Sequence, residues 1–295
     1  ASPLDPLLAA LGDYGGPTQT MLPQPGSPAI DPAGGATSSS LAADQRGFAR
    51  VADGNEPPDG TATLDIGAVE AGPPPGITVQ NADDAGPGSL RQAIADAFPG
   101  ATIDFGPAID GQTITLSSNL VLDKTVTIDA SGLTKGMTLN LDGNKIAPSV
   151  GDVTLDSLDL SGGGTSPYVI EKFDGSALTL LNCTIRDSQW GISFFSGAPA
   201  TISNCTFTNN SVAAFYYYAD GAVATLKNTT ISGNLGDGIR LEAGEIILEN
   251  SIVAGNGNEF YVRDDGFSTQ ILTNAGGNLI GDNTTVETEF PAGPL

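Results

Sequence analysis

LTLLNCTI from Leu178, ATISNCTF from Ala200, ATLKNTTI from Ala224 and IILENSIV from Ile246 are four versions of one phrase, and their starts lie 22, 24 and 22 residues apart. A fixed period in this range marks stacked supersecondary units, none of which can bury its apolar face alone. Within the phrase, Ile202, Cys205 and Phe207 alternate with Thr201, Ser203 and Thr206, which is the two-residue period of a half-buried strand. Asn182, Asn204, Asn228 and Asn250 interrupt that alternation at the same slot. Asparagine tolerates the left-handed backbone that a sharp bend between two short strands requires. Each repeat therefore reads as one turn of a coil, with Leu180, Ile202, Leu226 and Leu248 stacked inside and parallel ladders running along the axis.

The phrase, an apolar pair followed by a bend Asn, a small residue, Thr and an apolar residue, resembles the coil pattern of the right-handed parallel β-helix superfamily. That superfamily includes pectate-lyase-like proteins and many secreted bacterial repeat proteins. The resemblance implies an all-β solenoid and an extracellular or cell-surface location. It does not imply an activity, because the scaffold carries lyases, hydrolases, tailspikes, adhesins and inert stalks.

Residues 1–70 read differently. GGPTQTMLPQPGSPAID from Gly15, DQRGFAR from Asp44 and LDIGAVE from Leu64 resemble the closing segment of secreted bacterial β-helix proteins of the choice-of-anchor Q group. Physically this segment reads as an irregular cap, Pro-rich turns followed by short edge strands that cover open apolar rungs. Residues 71–76, AGPPPG, read as a stiff linker, and residues 77–295 as the β-helix. Ser89 and Gln92 form a capping-box pattern, and Leu90, Ala93, Ile94 and Ala97 share one helical face, which predicts a helix from Ser89 to Ala97 over the first coil. Strands follow at TITL, LVLDKTVTID, MTLNLDG and VTLDSLDL, the last with Ser157 in the bend slot. About nine coils are expected, and ILTNAGGNLIGDN from Ile271 resembles a final coil after which no cap is legible. A cap at the start and none at the end predicts one period of a tandem array or copies of the chain joined end to end. In either case residues 1–70 would close the last coil of a neighbour, or in cis their own.

The 34 acidic and 11 basic residues give a formal charge of −23, which argues against nucleic acid and anionic membranes as partners. No run of about 18 apolar residues is present, so no direct membrane insertion is expected. Histidine is absent, which removes Ser-His and Cys-His catalysis and imidazole metal sites. Asp83–Asp84 and Asp264–Asp265 offer carboxylates to calcium without the spacing of a known loop, so no cofactor is expected and calcium is the one candidate. Cys183 and Cys205 hold equivalent slots one coil apart, either as stacked inward thiols or as a bridge.

Between the phrases lies a variable strand: VIEKF, GISFF, FYYY, GIRLE and FYVR. Alignment on the flanking phrases places Ile192, Phe194, Ile239, Leu241, Phe260 and Val262 inward. Two outward columns follow: Glu171, Ser193, Tyr216, Arg240, Tyr261, and Phe173, Phe195, Tyr218, Glu242, Arg263. Phe195, Tyr216, Tyr218, Arg240, Glu242, Tyr261 and Arg263 are thus the candidate binding residues for a glycan or a protein partner, unless a loop or cap covers the rings. The resemblance places catalysis on this same face, with acidic calcium ligands and an arginine base. Arg240 and Glu242 are the candidates there, with an ordinary surface ion pair as their other explanation. Two outward threonine columns, Thr184, Thr206, Thr230 and Thr179, Thr201, Thr225, end after three rungs and read as ordinary strand surface. The sequons at Asn182, Asn204 and Asn228 fall on the bend column and read as buried structure. A structural or adhesive extracellular module is the expected function, with a carbohydrate-binding or polysaccharide-cleaving β-helix as the alternative.

Overall fold

The structure, a computed structural model, describes residues 4–12, 14, 18–24, 26–54, 61–71, 77–97, 99–164, 166–263, 269–282, 284–286 and 288–290. The chain divides into two compact units, residues 1–76 with 98–101, and residues 77–97 with 102–295.

The larger unit is a parallel β-solenoid whose coils have three faces. The first half of each phrase supplies the first face: Val153–Asp156, Leu178–Leu181 and Ala200–Ser203 pair in parallel, and the far half of Ala213–Lys227 joins them. The second half of the phrase supplies the second face, an 8-stranded parallel sheet running from Thr113–Thr115 to Leu279–Ile280. Eight rungs are one fewer than the sequence reading expected. The variable strands Tyr168–Lys172, Trp190–Phe194 and Asn258–Val262 form the third face with the near halves of Ala213–Lys227 and Asp237–Glu249. Those last two strands run unbroken around a corner and join the first and third faces.

Inside, like stacks on like. Leu155, Leu180, Ile202, Leu226 and Leu248 form one buried column, and Leu160, Ile185, Phe207, Ile231 and Val253 another. Each such side chain contributes about 1.5–3 kcal/mol of burial. On five successive rungs the bend between the two phrase strands is left-handed, with φ of 59° at Ser157 and 54°, 55°, 51° and 47° at Asn182, Asn204, Asn228 and Asn250. The asparagine amides also bond along the axis: Asn204 Nδ2 donates to Asn182 Oδ1 (3.2 Å), Asn228 Nδ2 to Asn204 Oδ1 (3.1 Å) and Asn250 Nδ2 to Asn228 Oδ1 (2.6 Å). This ladder lies on the outside, and all four asparagines are exposed, which corrects the expectation that the sequon asparagines are buried. A left-handed residue at a convex corner points its side chain to solvent, and the following residue turns in.

That following residue closes the bend from inside. Cys183 and Cys205 Sγ each lie 3.2 Å from the carbonyl two residues back, as Thr229 Oγ1 (3.1 Å) and Ser251 Oγ (2.9 Å) do on later rungs. The cysteines are free thiols, buried at 1% and 2% exposure. The adjacent Cys205 thiol and burial push the Cys183 thiol up. A second, internal ladder that the sequence reading did not anticipate lies at the next corner. Ser188 Oγ donates to Asn210 Oδ1 (2.7 Å), Asn210 Nδ2 to Asn234 Oδ1 (2.9 Å), Asn234 Nδ2 to Asn256 Oδ1 (2.8 Å) and Asn256 Nδ2 to Glu259 Oε2 (2.6 Å).

At the start of the solenoid the expected helix spans Leu90–Asp96, with Ser89 as N-cap accepting from Gln92 N (3.2 Å) and Leu90, Ala93 and Ile94 buried. Lys124 Nζ donates to the carbonyls of Ile94 and Ala97 (both 3.1 Å), closing its C-terminal end. At the other end, Val286 and Phe290 are buried and the Phe290 ring stacks on Phe260, with centroids 5.6 Å apart. The last coil is thus partly covered by its own following segment, which corrects the expectation of an uncapped end.

Residues 4–71 contain no strand among the described residues, only isolated antiparallel bridges such as Leu8 with Pro23 and Ala52 with Thr63. The expected edge strands are absent because a Pro- and Gly-rich segment cannot sustain a ladder, so its N–H groups need other acceptors. Carboxylates supply them. Asp44 accepts from Arg46 N (2.7 Å), Phe48 N (3.0 Å) and Glu70 N (3.0 Å), Asp31 from Gly54 N (2.7 Å) and Thr63 N (2.8 Å), and Glu70 from Ala52 N (3.1 Å) and Asp65 N (3.2 Å). Asp65 in turn accepts from Asp31 N (2.8 Å) and Ala71 N. Ala71 is therefore held by this unit, and the remaining linker residues 72–76 lie outside the described residues.

Two measurements test this account. Asn204→Ala forces a Cβ-bearing residue without a local amide into the left-handed bend and breaks the ladder on both sides. It should lower the urea unfolding free energy by about 1–3 kcal/mol, and Asn204→Gly should cost less. Equal stability of the alanine variant and the parent would remove the ladder from the account. Maleimide should label neither Cys183 nor Cys205 in the native protein and both in urea, and omitting reductant should leave the mass unchanged.

Candidate functional site

The third face carries the residues singled out from sequence. Its register places Glu171, Ser193, Tyr216, Arg240 and Tyr261 in one column, as expected, although Glu171 and Ser193 are buried beneath their neighbours, and Ile170, Ile192, Phe215, Ile239 and Phe260 in the buried column beside it. Val262 is inward in register with Leu241 and half-buried. The expected second column is broken. A bulge after Tyr217 sets Tyr218 opposite Ala243, so Glu242 is the extra residue and no longer faces Tyr218.

The rings gather into one cluster. Phe173 stacks on Phe195 (5.0 Å), Phe195 meets Tyr216 (5.3 Å), and Tyr216 meets the edge of Trp190 (5.2 Å). Trp190 stacks on Tyr168 at 6.3 Å. Phe173, Tyr218 and Tyr261 are 62%, 41% and 37% exposed, so no described segment covers them. Tyr168 and Trp190 were missed from sequence because alternation fails at the strand start. Val169 and Ile170 are both buried, as are Gly191 and Ile192, so the residue before each pair turns outward. Gly191 permits this, since a Cβ there would lie 2.3 Å from the Ala214 carbonyl oxygen.

Charges flank the rings, and they are paired. Arg240 binds Glu242 (2.9 Å) and Asp237 (3.3 Å), with its guanidinium carbon 4.0 Å from the Tyr261 ring centroid. Arg263 binds the other Glu242 oxygen (3.1 Å), and Lys145 pairs with Glu171 at the opposite end. Burial and then the Glu242 charge push the Tyr216 hydroxyl up to about 12. Ser193 is fully buried in the same column, and its hydroxyl has no hydrogen-bond partner among the described residues.

Behind the strip, Lys172 is wholly buried in the inward column with Phe194, Tyr217 and Leu241, a placement the sequence reading passed over. It pairs with Asp174 and donates to Ser176 Oγ (3.0 Å). Burial pulls its ammonium down to about 8, with Asp152 opposing.

No group of three or more His, Cys, Asp or Glu side chains among the described residues is placed to hold a metal ion. Asp84 is taken by Arg91 and Ser117, and Asp264–Asp265 lie outside the described residues. The column of Thr179, Thr201 and Thr225 continues back through Thr154 and Thr127, two rungs longer than expected, whereas Thr184, Thr206 and Thr230 are bounded by Asp159 and Ile252. A polar cavity of about 250 Å³ opens beside the Asn bend, lined in part by Gln112, Lys135, Asp159 and Asn182. Its Asp159 carboxylate is already held by Arg186 (2.7 Å) and Thr138 (2.9 Å). No helix is long and apolar enough to cross a membrane among the described residues.

Stacked three-faced coils, ladders at the corners and a helix over the first coil define a parallel β-solenoid. The family model described as right handed beta helix region matches residues 110–222 and 138–288, together more than half of the chain. The chain belongs to the right-handed β-helix family. No curated protein matches it.

Lys172 gives a signed pH test. Its folded-state pKa of about 8 lies below the ordinary value of 10.5, so between these the unfolded chain holds more protons and stability rises with pH. The melting temperature of the parent should therefore rise from pH 8 to pH 10 relative to that of Lys172→Met. Parallel curves for the two proteins would show that Lys172 is not a buried ammonium.

Proposed function

We propose that this chain is an extracellular or cell-surface adhesive module that holds its partner on the aromatic strip of the third face. The observation that carries this reading is the cluster of Tyr168, Phe173, Trp190, Phe195 and Tyr216, five rings in mutual contact and partly open to solvent, where the other exposed apolar side chains are aliphatic or isolated. A soluble fold gains nothing from exposing such rings, whereas a contact surface gains apolar area at little entropic cost because they already pack on one another. Composition supports the location: charged residues are 15% of the chain and lysine and arginine are scarce. Binding is favoured over cleavage because both oxygens of Glu242 are engaged by arginines, leaving neither free to act on a substrate.

Replacing Phe173, Tyr218 and Tyr261 together with Ser tests the reading. All three are exposed, so the unfolding free energy should change by no more than about 1 kcal/mol. Attachment of the protein to its native cell surface or matrix should be lost. Undiminished attachment would sink the proposal. A large loss of stability would show that the rings are covered core.

A further inference from the structure

We infer that the ligand of the aromatic strip is a neutral glycan chain, a conclusion that rests on the binding reading above and names its substrate class. Size narrows the occupant first. Five rungs about 4.8 Å apart, each about five residues of 3.3 Å wide, give the strip roughly 300 Å², whereas a stable protein partner covers about 800 Å² on each side. A linear oligosaccharide fits a narrow strip of rings, because the C–H faces of a sugar ring dock on the electron-rich face of an aromatic ring.

Charge narrows it further. The cations of the face are already neutralised: Arg240 by Asp237 and Glu242, Arg263 by Glu242, and Lys145 by Glu171. A polyanion would have to displace those carboxylates while approaching a chain of net charge −23, which repels it at long range. A neutral sugar faces neither cost. Ser193 adds an independent pointer. Its hydroxyl lies in the outward column between Glu171 and Tyr216, with Trp190 on the same strand and Phe195 just after its end, and it is buried without a partner among the described residues. A buried unpaired hydroxyl costs about 1–3 kcal/mol. A sugar hydroxyl reaching it as the Tyr216 or Phe195 ring swings aside would remove that cost.

Trp190, the only tryptophan of the chain, lies in the strip and reports its occupancy. The full chain is titrated with cellohexaose, xylohexaose, mannohexaose and hexagalacturonate while Trp190 emission is followed at low and at moderate salt. At least one neutral hexasaccharide should shift the emission with little salt dependence, and hexagalacturonate should not. Tyr216→Ser should weaken the response about tenfold, the loss of one stacking contact. Phe173→Ser, at an exposed edge position, should weaken it as well and guards against a folding defect in the first variant. A response to hexagalacturonate alone would overturn the neutral-glycan inference and leave binding by the strip standing. Silence from all four sugars, with surface attachment still dependent on Phe173, Tyr218 and Tyr261, would assign the strip to a protein partner and likewise overturn it. Silence together with attachment independent of those rings would end both readings.

Discussion

Five successive coils of this chain turn sharply between two short strands at the same place, and a left-handed bend, asparagine in four of them and Ser157 in the other, makes that possible. A residue at φ near 50° is costly for most side chains and tolerable for asparagine. The same amide then bonds to its equivalents above and below, so the element that closes a coil also sets the register of the next. The register in turn decides which side chains enter the core. A one-residue slip would reverse Leu180, Ile202 and Leu226 to the outside and bring Thr179, Thr201 and Thr225 in. The buried ladder from Ser188 to Asn256 fixes the next corner similarly, so coils of 22 and 24 residues stack without losing step.

The two units satisfy their backbones by opposite means. In the solenoid, parallel pairing consumes the N–H groups and the side chains are left to pack. In residues 4–71, where proline and glycine preclude ladders, Asp31, Asp44, Asp65 and Glu70 accept the N–H groups instead. This accounts for part of the acidic surplus, because these carboxylates answer amides, and Asp44 alone of the four also pairs with an arginine, Arg46. Their environments differ accordingly. Burial raises Asp65 and Glu70, whereas Asp44 is held low because the N–H groups of Glu70, Phe48 and Arg46 and the Arg46 side chain outweigh its desolvation.

What the sequence made legible was whatever repeats. The Asn slot, the inward columns, the starting helix at Ser89 and the outward column through Tyr216 and Arg240 all follow from period and alternation. The misses fall where a local event breaks the period. Tyr168 and Trp190 escaped because two consecutive residues are buried at the corner behind them, and Glu242 was misplaced because a bulge inserts one residue. Lys172 was passed over because charge argues for the surface, and only Asp174 and Ser176 at its tip make the interior tolerable. The sequon asparagines of the bend column read as buried structure because a structural role suggests burial, whereas a ladder can stabilise a coil from outside. The covering of the last coil by Phe290 carries no periodic signal at all.

The position of the strip follows from these constraints. On the first face one outward column is threonine over five rungs, Thr127, Thr154, Thr179, Thr201 and Thr225. On the third face only the inward position of each strand is dictated, so the outward columns are free to differ from rung to rung, and Glu171, Ser193, Tyr216, Arg240 and Tyr261 do. Two of its strands, Ala213–Lys227 and Asp237–Glu249, also continue around the corner and tie the third face to the first, with the bulge after Tyr217 between them. Freedom of side-chain choice on a hydrogen-bonded sheet favours a preorganised contact surface, since the loss of rotamer freedom on binding is confined to rings that already brace one another. A face of this kind is suited to holding an extended ligand in one orientation.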